Sequence, residues 1–202
     1  MTASPEEIPG AAFIFSKKYL YNTLMNRDYL IGSYIEPGYA PAPVHVPDDV
    51  YTQILDAIVV ACVDIVVVSG GRVLLGKRAW HPQADWWIIG GRMRPGEGLE
   101  KAATRHISRD LSLDVENGRF NYLTTFSTAW RKRRHEPAEN GTHTVSIVMT
   151  VTLTPEEAAS IKLNEEYVDQ QWLTTEEILA NADFHPALHQ CANALPHHQD
   201  IL

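Results

Sequence analysis

The run Ile58 to Val68 is almost unbroken in apolar residues, with only Asp64 interrupting it, and its β-branched character predicts a strand covered on both faces. Ser69-Gly70-Gly71 follows with hairpin chemistry, so Arg72 to Arg78 should return beside it. Trp86 to Ile89 reads as a short strand running into Gly90-Gly91. The period then changes. Leu99, Ala103, Ile107 and Leu111 recur at i, i+4 and predict a helix over 99–112 with these residues as its buried stripe. Tyr122 to Trp130 and Thr144 to Thr152 alternate and predict two antiparallel strands. The polar segment Arg131 to His143 between them reads as a mobile loop. Short helices are expected at Asp48 to Leu55, capped by Asp48 or Asp49, and at Pro155 to Ile161. A short strand at Gln170 to Leu173 leads into a helix opened by a capping box, Thr174 to Glu177. Ala187 to Leu195 closes the chain as a further helix. Mixed strands with interleaved helices give an α/β class, a mixed sheet between helices.

The segment before this pattern behaves differently. Phe13 to Ile35 is rich in aromatics and gives way to Pro37, Pro41, Pro43 and Pro47. Residues 1–47 are therefore expected to be an arm, lying on its own domain or reaching a partner subunit, and residues 48–202 the domain proper. No apolar run approaches the roughly 20 residues that span a bilayer. Met1 to Gly10 carries Glu6 and Glu7 without a basic region, unlike a secretory signal. Cys62 and Cys191 form no C-x-x-C pair, which fits a reducing cytoplasm. The net charge of −8 argues against a nucleic-acid partner. An anionic small molecule would need local cations or a metal.

One stretch carries chemistry. Gly91, five residues, Glu97, seven residues and Arg105 stand in the register of the Nudix box, G-x5-E-x7-R-E-U-x-E-E-x-G-U with U apolar. Ile107, Asp110 and Leu113 continue the match, while His106, Arg109 and Ser112 replace two glutamates and a glycine. Read physically, Gly90-Gly91 allows a sharp turn close to a ligand. Glu97 near a helix start and Arg105 two turns on suit an ion pair that locks loop to helix. His106 and Asp110, at i, i+4, share a face expected to lie opposite the buried stripe. Asp110 is an oxygen ligand of the kind magnesium prefers.

The chain thus resembles the Nudix hydrolases. The thinned box, with Leu74-Leu75-Gly76-Lys77-Arg78, Pro82, Trp87 and Gly90-Gly91-Arg92, is similar to the GDP-mannose mannosyl hydrolase branch over about Ala57 to Phe184. That resemblance implies a Nudix fold, a homodimer and magnesium, replaceable by manganese, held by the Gly90 carbonyl, Asp110 and Glu166. It implies hydrolysis of a nucleoside-diphosphate sugar at the anomeric carbon. Arg78 and Arg92 would stabilise the leaving group, and Glu97 and Arg105 would complete the catalytic set. The branch's histidine base falls on Tyr167, a poor base at neutral pH, so Glu165 or a histidine of 131–143 would have to replace it. Two other functions remain open at this level: a pyrophosphohydrolase acting at phosphorus, and a non-catalytic nucleotide-binding module.

Bland readings stand beside these. Asp64 is either a satisfied carboxylate at a strand edge or a substrate contact. His106 reads as a hydrogen-bonded helix-face residue rather than a ligand. Arg131-Lys132-Arg133-Arg134 reads as a solvated loop, with contact to a substrate phosphate or partner as its alternative. Trp80, Trp86 and Trp130 read as core or rim, and His185, His189, His197 and His198 as parts of a helix and tail.

Overall fold

The computed structural model describes residues 35–41 and 46–195. The expected arm before Ile35 and the tail histidines His197 and His198 lie outside the described residues. Residues 39–41 pack against the Pro95-Gly96 turn: a Cβ on Gly96 would come within 2.8 Å of the Pro41 ring.

The domain opens with α1 (Asp48–Ala57). Its N-cap is Pro47, and no side chain caps it. Asp48 and Asp49, expected as caps, sit in the first turn instead, where they face the positive end of the helix dipole. β1 (Val59–Ser69) follows, then β2 (Arg72–Arg78). The two-residue turn between them has positive φ at both glycines and pairs Ser69 with Arg72. β3 (Trp86–Trp87) and β4 (Ile89–Arg92) divide the single strand expected here. Then come α2 (Leu99–Leu111), β5 (Asn121–Trp130), β6 (Thr142–Thr152) and α3 (Pro155–Ala159). β7 (Tyr167–Leu173), α4 (Thr175–Ala180) and α5 (Pro186–Ala194) complete the fold. The capping box at Thr174 is present, and a second one, unforeseen, caps α3 through Thr154 and Glu157.

β1 is the axis of a seven-stranded mixed sheet. β6 runs parallel to it along its length and carries antiparallel β5 on the far side. The other edge of β1 is shared: β4 pairs with Cys62 to Ile65, and β2 pairs near the hairpin. β2 also carries β3 and β7. Central placement explains why β1 is apolar on both faces. Val63, Ile65 and Val67 are sealed on one side and Val66 on the other. α2 packs over β1 and β4 through Ala103, Ile107 and Leu111, as its stripe predicts. α4 and α5 cover the opposite face, where Ile178, Leu188 and Cys191 join Val66, Leu75 and Trp87 in one cluster. Burying side chains of this size stabilises by about 1.5–3 kcal/mol each before entropy is counted.

Candidate active site

Two glycines make the floor. Gly90 and Gly91 both have φ near +145°, a region that side chains beyond glycine rarely enter. A Cβ on Gly90 would fall 2.4 Å from the Val63 carbonyl, and one on Gly91 would press the His106 ring. β4 therefore lies directly on β1 and α2. His106 fills the space beneath Gly91 and is 1% exposed, with Nε2 3.3 Å from the Arg92 carbonyl. His106 and Asp110 were expected on an open helix face. Both are buried, because β4 and the loop before β7 close over that side of α2.

The loop–helix lock is present. Arg105 meets Glu97 through Nε at 2.5 Å and Nη2 at 2.8 Å, and also donates to the Arg92 carbonyl at 3.0 Å. The Arg94 N–H donates to Glu97 as well. Burial pushes the Glu97 carboxyl up, but the Arg105 bonds outweigh it and hold the group below the usual range.

At the other end of α2, Arg109 dominates. It grips its neighbour Asp110 with Nε at 2.5 Å and Nη2 at 2.8 Å, and Nη2 stands 3.4 Å from Glu166. Asn164 donates to Asp110 at 2.8 Å and accepts from the Glu166 N–H at 2.9 Å. Glu166 takes a 2.6 Å bond from Arg78. Burial pushes Asp110 up, yet the His106 ring 3.8 Å away and the hydrogen bonds from Arg109 bring it below the ordinary carboxylate range.

Nudix hydrolases generally use a divalent metal, and here the expected donors were the Gly90 carbonyl, Asp110 and Glu166. The residues present do not fit such an ion as they stand. Both carboxylates are already matched by guanidinium groups, and Arg109 lies between them, where a dication would be repelled. Among the described residues no group of three His, Cys, Asp or Glu side chains is arranged to hold a metal.

A cavity of about 320 Å³ opens above the glycines. Of the residues expected at the site, Asp64, Arg78, Gly90, Arg92 and Glu166 line it; Glu97, Arg105 and Asp110 do not. Asp64 is not at a strand edge, since β1 is central. It is 5% exposed, and burial raises its carboxyl pKa against the opposing bond to Ser146. Tyr167 is buried with its ring against Gly76, and burial drives its hydroxyl pKa further up, so it is no base. In the expected solvated loop at 131–134, Arg131, Lys132 and Arg134 are exposed as expected, and Arg133 departs. Arg133 is 2% exposed and lines the cavity, paired to Asp56 at 2.6 Å. Arg133 escaped sequence reading because its partner Asp56 is set by a tertiary contact, and Arg109 because its bridge to Glu166 is one. The Arg92 guanidinium lies over Tyr51 at 4.7 Å, and Arg134 over Trp80 at 4.8 Å.

A model of the NUDIX domain matches residues 58–192, the glycine floor, the lock and the helix included. The chain belongs to the Nudix hydrolase superfamily. Among solved structures, a MutT NUDIX hydrolase from Burkholderia pseudomallei shares the fold with TM-score 0.54 and 22% identity, over 69% of this chain and 99% of that one. The NUDIX domain of Shewanella oneidensis NrtR, complexed with ADP ribose, aligns with TM-score 0.50 and 17% identity, over 84% and 97% of the two chains. The low-salt glycan biosynthesis protein Agl8 of Haloferax volcanii is 34% identical over 71 residues. That match takes in 35% of this Nudix chain and 46% of the relative, so the chain spans under half of that relative's length.

Proposed function

We propose that this Nudix hydrolase cleaves a nucleoside-diphosphate sugar between the anomeric carbon and the diphosphate. The observation that carries the reading is the cavity wall: Arg78, Arg92, Arg109 and Arg134 converge there in a chain of net charge −8. An acidic protein concentrates arginines in one cavity when the ligand is polyanionic. The likeness to a glycan biosynthesis protein agrees with a sugar-bearing substrate.

The reaction follows from the residues in place. Water attacks the anomeric carbon, the carbon–oxygen bond to phosphate breaks, and the electron pair leaves with the nucleoside diphosphate. Arg78, Arg92 and Arg109 meet the charge that develops on it; one oriented donor of this kind is worth about 10²–10³-fold in rate. Asp64 accepts the water's proton. Burial shifts its pKa upward, the direction a general base needs. Glu97 and Arg105 act at one remove, by fixing the Arg92 segment. Magnesium does not enter this scheme, because Asp110 and Glu166 are taken up by guanidinium contacts. A homodimer and a cytoplasmic location belong to the same reading.

The test is a nucleotide-sugar screen in oxygen-18 water, run with magnesium and again with a chelator. The expected result is label on the anomeric hydroxyl of the free sugar and an unlabelled nucleoside diphosphate. Label in phosphate would replace this reading with pyrophosphate hydrolysis. Nucleotide binding without turnover of any sugar would make the chain a binding module.

A further inference from the structure

Among the described residues, besides Arg78 Nε, two buried polar atoms at the cavity lack a partner, Arg133 Nη2 and Thr142 Oγ1. Both residues line the cavity. Leaving a buried donor and a buried hydroxyl unsatisfied opposes folding, so such atoms call for a partner from water or from a ligand. The rest of Arg133 is fixed. Nη1 meets Asp56 at 2.6 Å and the Gly141 carbonyl at 3.2 Å, and Nε donates to the His135 carbonyl at 3.1 Å. Asp56 is itself held by Asn140. The charge of Arg133 is thereby matched, and what is left is the Nη2 amino group, with two N–H donors, rather than a free cation. Thr142 adds a hydroxyl that donates or accepts.

The surroundings narrow the ligand. Leu55, Val60 and Cys62 form a small apolar cluster with Tyr51, and all four line the cavity. The His135 ring stands edge-on to Tyr51 at 4.9 Å. An apolar and aromatic wall beside Arg92, which lies over Tyr51, with one neutralised guanidinium and one hydroxyl, suits a flat, uncharged, hydrogen-bonding group next to a phosphate. A phosphate would instead seek the cavity's other arginines, Arg78, Arg92, Arg109 and Arg134. We propose that Arg133 and Thr142 are specificity-determining residues that read a nucleobase with a carbonyl oxygen on its edge, such as guanine or uracil, in preference to adenine. A carbonyl accepts from Arg133, whereas the exocyclic amine of adenine sets donor against donor. This rests on the nucleotide reading of the cavity above.

Binding rather than turnover provides the test. Calorimetry on the full chain would compare GDP, UDP, ADP and inorganic pyrophosphate for wild type, Thr142→Val and Arg133→Lys. The threonine change keeps the shape and removes only the hydroxyl; melting curves check both variants. GDP or UDP should bind at least about tenfold tighter than ADP, the discrimination that a polar pocket can supply. Each variant should cut that ratio to about threefold or less while leaving pyrophosphate affinity within about twofold of wild type. Equal or tighter binding of ADP by wild type overturns the proposal. So does a base preference that survives both variants, or variants that alter discrimination between sugars but not between bases. Base-selective binding without hydrolysis would instead leave the subsite standing and remove the hydrolase reading.

Discussion

Arg109 stands where the Nudix box has a glutamate, and that single exchange changes the sign of the site. A glutamate there would add an anion beside Asp110 and Glu166. The arginine instead spans them, with contacts of 2.5, 2.8 and 3.4 Å. A guanidinium can neutralise two facing carboxylates through fixed geometry, but it cannot expand its coordination as a metal does. Arg109→Glu should therefore create metal affinity. Manganese binding measured without nucleotide is expected to be at least about tenfold tighter in the variant than in wild type. The variant should also gain thermal stability on metal addition, by mass action on the folded state. Tight manganese binding by wild type, lost in Asp110→Asn, would mean that Arg109 swings aside and that the metal set survives.

At the scale of elements, the site depends on how β4, the box loop and α2 are tied. Glu97 and Arg105 supply the ionic part of this tie, and α2, whose N-cap Gly98 has no side-chain cap, depends on it at its start. Glu97→Gln keeps the size and removes the charge. Breaking a buried pair of this kind costs about 3–5 kcal/mol, and partial exposure brings this one toward the lower figure. For a domain of this size that is a fall in Tm of roughly 6–12 °C, at about 2–4 °C per kcal/mol. The folded-state pKa of Glu97 is depressed. Its contribution is thus full above the unfolded value, near 4.3, and is lost as pH falls through the folded one. The gap between wild type and variant should close in acid. An unchanged Tm with lost activity would move Glu97 from positioning to catalysis. This pair was legible in the sequence because its spacing is local, like the buried stripe of α2 and the capping box at Thr174. The burial of His106 was not, because it depends on Gly91 lying over it from another strand. Arg133 gave no local signal either: its partner Asp56 is 77 residues away.

For the whole molecule the balance is between an acidic surface and a cationic cavity. A net charge of −8 over 202 residues sets up a long-range field that repels a nucleotide. The attraction comes from arginines that act only near contact, several of them already facing Glu166 or an aromatic ring. Salt acts differently on the two. Between about 0.1 M and 1 M the Debye length falls from roughly 10 Å to 3 Å, which removes the long-range field but screens partly buried contacts less. Stopped-flow binding of a nucleoside diphosphate at rising sodium chloride should separate them. The association rate is expected to hold or rise as repulsion is screened. The dissociation rate should rise, so that affinity weakens by about tenfold or less. A molecule that steers anions by a positive surface shows the opposite, an association rate that falls steeply with salt. Finding that fall here would mean that a cationic surface outside the described cavity guides the ligand in, and the local-arginine account of binding would fail.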